Sequence, residues 1–506
     1  MPTSQDSVGT TTPGVVLAID QGTSATKCVL VAADGRIVAK ASVALGERYP
    51  EPGWVEQDAD ALWDSVRSAV GQCLSLAPEA RVLAVGLSTQ RESAMVWRRA
   101  DAQALTPLLS WQDQRTVALR DTLAAREGVE AFVRERSGLP LDPMFSALKL
   151  CWLLDRIDPQ RIQAASGAWC MGTVDAFLLA RMGAEGVIEA GNASRTQLLD
   201  VVRGAWDAEL LALFDIPEAA LPRVVPSIRR HTEAGALHPR LVGVPVAAVM
   251  ADSHAALFAH GARTPGEVKA TMGTGSSVMG LTDGRRSAHP GLCRTIAWDL
   301  GEHGDPAGPV QALEGNIRAA GATLRWAAEL FGLDSEQAAE IAAHHSAAGL
   351  ALVPGFTGLG APWWDSHAVG LISGLTLATD RGALLAAAVD AIAHQVADVL
   401  TAMDDSVDGI QRLLVDGGPS RNAALRATLA SCIRRPVIYC ADAELSALGV
   451  AHAAGLGEGL WTPDAVSALP RNQQATAPTT DTASQARVIE ARHHWARAVA
   501  QARLRG

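Results

Sequence analysis

Apolar runs that end in a polar or acidic residue recur along the chain, and the first sets the plan for the rest. Leu17-Ala18-Ile19 ends at Asp20-Gln21, the chain turns through Gly22-Thr23-Ser24, and Cys28-Val29-Leu30-Val31 returns toward Asp34-Gly35. This predicts a β-hairpin with an acid at its mouth. Asp34-Gly35-Arg36-Ile37-Val38 reads as the turn into a third strand. After the Pro/Gly turn of Tyr49 to Glu56, apolar residues at Leu62, Val66, Val70 and Leu74 follow helical spacing. Val82 to Ser88 is a buried-strand pattern that delivers Thr89-Gln90-Arg91-Glu92 at its carboxyl end, where open α/β sheets hold ligands.

The same step occurs twice more. Pro245 to Ala251 ends at Asp252 and passes into a helix through Ala255 to Phe258; Leu413-Leu414-Val415 ends at Asp416-Gly417-Gly418, before a helix from about Leu425 to Ile433. Strands alternating with helices predict an α/β class. The Thr/Ala/Pro/Ser-rich stretch from Thr476 to Ser484 reads as a loop, with a last helix from about Arg487 to Leu504. Glu267 to Gly284, built around Met272-Gly273-Thr274-Gly275-Ser276, repeats the opening plan of strand, Gly-Thr turn, strand and Asp-Gly. Two such hairpins about 250 residues apart suggest a duplicated domain with phosphates held between the halves; chance recurrence of so short a pattern is the alternative.

Length and composition narrow the class. A chain of 506 residues exceeds one ordinary core, and 48% hydrophobic with 19% charged residues fits a globular protein that buries a large interior. No stretch of about 20 continuous apolar residues stands out as a membrane span. Met1 to Gly14 lacks an apolar segment and reads as a flexible tail, so the expected setting is cytoplasmic. A net charge of −11 argues against general nucleic-acid binding. The seven cysteines include no closely spaced pair, which suits reduced thiols and neither a zinc site nor a disulfide framework.

Each candidate residue carries a second, plainer reading. The Asp20 to Lys27 turn can present amides and hydroxyls to a phosphate while Asp20 holds Mg²⁺, or it is a surface hairpin. Asp252 stands where a strand meets a helix, suited to a general base and equally to a helix cap. Arg91 and Glu92 can grip vicinal hydroxyls or form a solvated ion pair. The Gly417 to Asn422 segment suits a nucleotide beside a helix start, or is a turn. His254 and His260 match no metal set and read as surface residues or as backing for the site. Asn192-Ala193-Ser194 matches a glycosylation sequon that a chain without a secretory signal does not use.

Taken in order, Asp20-Gln21-Gly22-Thr23, Gln90-Arg91-Glu92, Trp111-Gln112-Asp113, Gly138 to Pro143, Asn192 to Thr196, Gly273-Thr274-Gly275, Leu313-Glu314-Gly315 and Asp416-Gly417-Gly418 resemble the FGGY carbohydrate kinases, most of all the glycerol kinases among them. The resemblance runs from about Val15 to Trp461. It implies two actin-like (ribonuclease-H-like) domains around a central cleft, the first (15–255) on the substrate side, the second (256–461) on the nucleotide side, with a loop and helix beyond (462–506). It implies transfer of the γ-phosphoryl group of ATP to a terminal hydroxyl, with Mg²⁺. By similarity Asp252 is the base and Asp20 serves the metal. Arg91, Glu92, Trp111, Met144, Ser253 and Ser277 fall at substrate positions; Thr23, Ser24, Lys27, Thr274, Gly321, Arg325, Gly418 and Asn422 fall at nucleotide positions.

The chain departs from its relatives at the acceptor. Where the resemblance expects Tyr, Gln and Phe it carries Met144, Ser253 and Ser277, which enlarges the pocket and makes it more adaptable and partly more polar. Lys27 replaces the usual Arg, keeping charge without the fork, and Arg325 replaces the usual Gln near the adenine. Glycerol is the expectation from overall resemblance, and the pocket changes argue for a longer polyol such as erythritol. A ketopentose such as xylulose, or a non-catalytic nucleotide-binding regulator on the same fold, are the alternatives. The partners expected are therefore a small polyol or sugar and ATP, with a homo-oligomer left open.

Overall fold

The computed structural model describes residues 14–284, 288–303, 308–347, 349–404, 406–407 and 409–504. The expected N-terminal tail, but for Gly14, lies outside them.

A strand apolar at consecutive positions must be covered on both faces. β1 (Gly14–Gln21) achieves this in the middle of a six-stranded sheet, with Val16 through Ile19 fully buried. It pairs antiparallel with β2 (Ala25–Ala32), which pairs antiparallel with β3 (Ile37–Ala44). On its other side β1 runs parallel to β4 (Arg81–Thr89). β5 (Ile228–Glu233) and β6 (Pro245–Ala251) complete the order β5-β6-β4-β1-β2-β3, with β6 parallel to β4. α1 (Ala59–Ser75), capped by the Asp58 carboxylate, buries Leu62, Val66, Val70 and Leu74 against this sheet.

The second half repeats the plan. β7 (Glu267–Met272) and β8 (Ser276–Thr282) form the second Gly-Thr hairpin. They join β9 (Cys293–Trp298), β10 (Val310–Ile317), β11 (Arg412–Asp416), β12 (Val437–Cys440) and β13 (Gln473–Thr476) in the order β9-β10-β8-β7-β11-β12-β13. The five strands β10-β8-β7-β11-β12 match β3-β2-β1-β4-β6 in order and direction, so the echo between the two hairpins is a duplicated sheet.

The halves exchange helices. α2 (Asp252–Ala259) leaves the first sheet and packs Phe258 edge-on against Trp298 of β9, with ring centroids 5.2 Å apart. Beyond α3 (Gly321–Glu329), α4 (Arg381–Asp404) and α5 (Ala423–Ile433), α6 (Leu445–Gly457) crosses back onto β1, β4 and β6. One buried cluster joins Val16, Ala18 and Ala84 to Met279, Leu414, Ala447 and Val450. The expected division after Ala255 falls inside α2. α4 is long and apolar enough to cross a membrane by length and composition, but 83% of its apolar window is buried, as the core helix of the second half.

The sequence pattern misplaced the last helix. α7 (Thr482–Ala502) starts earlier than Arg487, because the Asp481 carboxylate accepts from the Ser484 amide at 2.8 Å and converts the Thr/Ala/Ser run into a first turn. The seven cysteines are free thiols, and Asn192 of the sequon is fully buried.

Candidate active site

Strand register decides which side chains meet. Asp20 pairs with Ser88, Gln21 with Thr89, and Thr89 with Ala251, so β1, β4 and β6 end together. Their ends present Asp20, Gln90-Arg91-Glu92 and Asp252 along one edge. In the second sheet Thr271 pairs with Asp416, aligning the Gly273-Thr274-Gly275 turn with Gly417-Gly418.

Asp252 opens the first turn of α2, and its side chain keeps 35% of its surface exposed. Its Oδ1 lies 3.4 Å from Arg91 Nε and accepts from the Ser253 amide at 2.5 Å. Burial raises its proton affinity, opposed by Arg91. Burial and the Asp252 charge push Asp20 up to about 7, against a hydrogen bond from the Ser88 hydroxyl at 2.9 Å. Lys27 does not neutralise Asp20 by contact; it pairs with Glu444 at 2.7 Å, beside Lys40 at 3.2 Å. A half-buried carboxylate of raised proton affinity, without a protein cation in ion-pair contact among the described residues, fits a hard divalent ion.

Glu92 has φ 61°, in the left-handed region that a side chain rarely adopts. Ser146 Oγ, donating to the Glu92 carbonyl at 3.0 Å, and Arg195 Nε, donating to Glu92 Oε1 at 2.7 Å, hold it there. The Arg91 fork is fully used: both Nη atoms donate to Glu314, at 3.0 and 2.9 Å. Nε lies 3.4 Å from Asp252 Oδ1 and 3.7 Å from Glu92 Oε1. The solvated ion-pair reading of Arg91 and Glu92 fails, since both are buried.

The other acceptor positions differ in how they are held. Trp111 is 37% exposed and donates from Nε1 to Thr23 Oγ1 at 3.0 Å, which ties it to the first turn. Met144 sits half-buried beside Leu139, Phe145 and Cys293. Its loop is clamped by Lys149, whose buried ammonium donates to the Pro143, Met144 and Phe145 carbonyls at 2.7, 2.6 and 3.3 Å. Ser277 donates to Glu314 Oε1 at 2.6 Å, and Ser253 is half-buried next to Asp252.

The nucleotide positions fall into two groups. Thr23, Ser24 and Lys27 belong to the first hairpin, with Ser24 exposed. The Thr274 carbonyl accepts from the amides of Ala320 and Ala322, and the Gly321 amide donates to Gly273 at 2.9 Å. A side-chain carbon on Gly321 would lie 2.6 Å from the Gly273 oxygen and 3.1 Å from Pro419, so hairpin, α3 start and Gly-Gly loop are in close contact. Gly417, at φ 90°, has no space for a side chain, whereas Gly418 faces open space. Asn422 caps α5, accepting from Ala424 and Leu425 amides at 2.8 and 3.1 Å; Arg325 is exposed on α3.

Besides Lys149, the buried charges near the site to which the sequence alone assigns no role include Arg195, Glu314 and Lys269. Arg195 and Glu314 lie in motifs already singled out, and that was the available signal. Lys269 donates to Thr271 Oγ1 at 2.7 Å; Thr271 and His260 both bond Asp416 Oδ2, at 3.1 and 2.7 Å. His260 and His254 are buried, so the surface reading of both is corrected; His254, whose ring nitrogens have no hydrogen-bond partner among the described residues, is held neutral by burial.

Comparison with known proteins identifies the family and the fold. Residues 15–259 match the N-terminal domain of the FGGY family of carbohydrate kinases and residues 268–458 match its C-terminal domain. The chain is 41% identical to the apulose kinase of Pectobacterium atrosepticum over 97% of this chain and 99% of that one. It is 39% identical to a glycerol kinase of Geobacter sp. over 90% and 92%. In fold it is similar to Plasmodium falciparum glycerol kinase with ADP (TM-score 0.88, 24% identity, 98% and 99% covered) and to ligand-bound xylulose kinase from Lactobacillus acidophilus (0.85, 19%, 96% and 97%). With two equivalent sheets in actin-like domains and both domains of the family matched, the chain belongs to the FGGY carbohydrate kinases and is an ATP-dependent kinase.

Proposed function

We propose that this kinase phosphorylates a primary hydroxyl of a four- or five-carbon polyol or ketose. The observation that carries this is Ser277: its hydroxyl turns onto Glu314 at 2.6 Å, leaving no aromatic wall where the resemblance expects Phe. Met144 and Ser253 remove a second wall and a long amide in the same neighbourhood. The similarity to an apulose kinase over nearly the whole chain supports the same direction. Glycerol is the second reading, favoured by the 39% identity to a glycerol kinase.

In this reading the acceptor hydroxyl lies between Asp252, Arg91 Nε and Glu92. Asp252 accepts the hydroxyl proton as oxygen bonds the γ-phosphorus and the bond to the β-phosphate oxygen breaks, leaving ADP. Arg91 and Glu92 orient the alcohol, and Trp111 closes its side of the pocket. Amides and hydroxyls of the Thr23-Ser24 and Thr274 turns, with Lys27, receive phosphates; Gly321, Gly418 and Asn422 border the nucleoside, with Arg325 near its base. Asp20 would hold Mg²⁺, which supplies neutralisation of phosphate charge. A cytoplasmic setting belongs to the same proposal, supported by seven free cysteines.

An ADP-release assay across glycerol, erythritol, threitol, xylitol, xylulose and apulose tests it. The highest kcat/KM is expected with a four- or five-carbon acceptor. A highest kcat/KM with glycerol, or absence of turnover with all of them, overturns the proposal.

A further inference from the structure

Arg195 and Glu314 are both fully buried, and the proposed chemistry uses neither. A buried charge persists where it is paired, so their partners indicate what they serve. Glu314 accepts from both Nη atoms of Arg91 at 3.0 and 2.9 Å and from Ser277 Oγ at 2.6 Å, and its Oε2 lies 2.8 Å from Arg195 Nη2. Arg195 in turn bonds Glu92 Oε1 at 2.7 Å and lies over the Phe145 ring, 5.2 Å from its centroid. Burial alone would raise the Glu314 carboxyl, but Arg195 and Arg91 hold it well below the usual carboxylate range, so it stays charged.

The cluster crosses the boundary between the halves. Arg91, Glu92 and Arg195 belong to the first half; Glu314 sits in β10, in the sheet of the second half, opposite Met279 on one side and Cys293 on the other. Without Glu314 the Arg91 fork would have Asp252 as a neighbouring carboxylate to turn onto, since Arg91 Nε already stands 3.4 Å from it. A bidentate pair there would occupy the carboxylate that must accept a proton.

We propose that Glu314, steadied by Arg195, is a positioning residue for phosphoryl transfer: it reaches from the second half to hold the Arg91 fork away from Asp252 and Arg91 Nε toward the acceptor. This rests on the reading that Arg91 and Glu92 grip the acceptor alcohol. Grip on the acceptor is thereby tied to the half of the molecule that would carry ATP.

Location makes the test discriminating. A merely structural role for Glu314 would disturb β8 to β10 and the adjoining second turn, and so the KM for ATP. The proposal expects the opposite: Glu314→Gln, which keeps shape and removes charge, lowers kcat/KM for the acceptor on the order of tenfold to a hundredfold, with KM for ATP within about twofold. Arg195→Lys, which keeps charge and loses the fork, has the same signature. Arg91→Gln is measured beside them. If it leaves acceptor KM unchanged, the underlying reading fails and the inference with it. If it raises acceptor KM while neither Glu314→Gln nor Arg195→Lys does, the inference alone is overturned. Equal loss at ATP and acceptor, or failure of both variants to fold, assigns the cluster to structure and also overturns it.

Discussion

Gly449 of α6 crosses α2 so closely that a side-chain carbon on it would lie 1.8 Å from the Ala255 carbonyl oxygen. Gly86 of β4 is in a similar position, 2.5 Å from the Val450 oxygen. These contacts are backbone against backbone, so no rotamer change relieves them. The two helices that join the halves are therefore seated by absent side chains, and Asp252 stands three residues before the crossing point.

Gly449→Ala accordingly forces α2 and α6 apart. Overpacking of this kind costs about 1–3 kcal/mol. Denaturant unfolding should show that loss, and kcat should fall because α2 carries Asp252. A variant with unchanged stability and turnover would show that the crossing yields freely.

Asp252→Asn keeps the side chain's size and its contact with the Ser253 amide while removing the proton acceptor. Turnover should drop on the order of 10²–10⁴-fold with unfolding and nucleotide affinity little changed. Calorimetric titration with ADP beside an ADP-release assay separates the two. Retained turnover would assign the base elsewhere.

The strands ending at Asp20, Glu92 and Asp252 were legible because apolar runs stopped at polar residues, and register did the rest. The duplication was legible in Gly22-Thr23 and Gly273-Thr274, since a turn's geometry restricts its residues. The Arg91 to Glu314 pair was not: it joins residues 223 positions apart, and nothing local says which buried carboxylate meets which guanidinium. Lys269 was hidden for a related reason: it alternates with apolar residues between Glu267 and Thr271, a pattern that locally reads as the solvated face of a strand, yet this face is covered. The start of α7 is not legible from composition, because the cap at Asp481 turns a Thr/Ala/Ser run that reads as loop into a first helical turn.

Burial also creates a pH signature. It pushes Glu189 up to about 7 from the usual 4.5, against hydrogen bonds from Ser227 and the Gly191 and Asn192 amides; it pushes Asp175 up to about 6. For Glu189 the folded state keeps a proton that the unfolded chain has released. That contribution is complete below about pH 4.5 and is lost as pH rises through about 7. Unfolding free energy should fall across this window, by on the order of 3 kcal/mol for Glu189. Denaturant curves between these limits should be flatter in Glu189→Gln. An identical slope in the variant would contradict the assignment.

The acceptor proposal stands or falls on Met144, Ser253 and Ser277. The direct measurement is the ratio of kcat/KM for the best four- or five-carbon acceptor to that for glycerol, in the natural protein and in Met144→Tyr/Ser253→Gln/Ser277→Phe. The natural protein should favour the longer acceptor, and the variant should lower the ratio at least about tenfold. A natural preference for glycerol, with the ratio unmoved in the variant, would contradict the account.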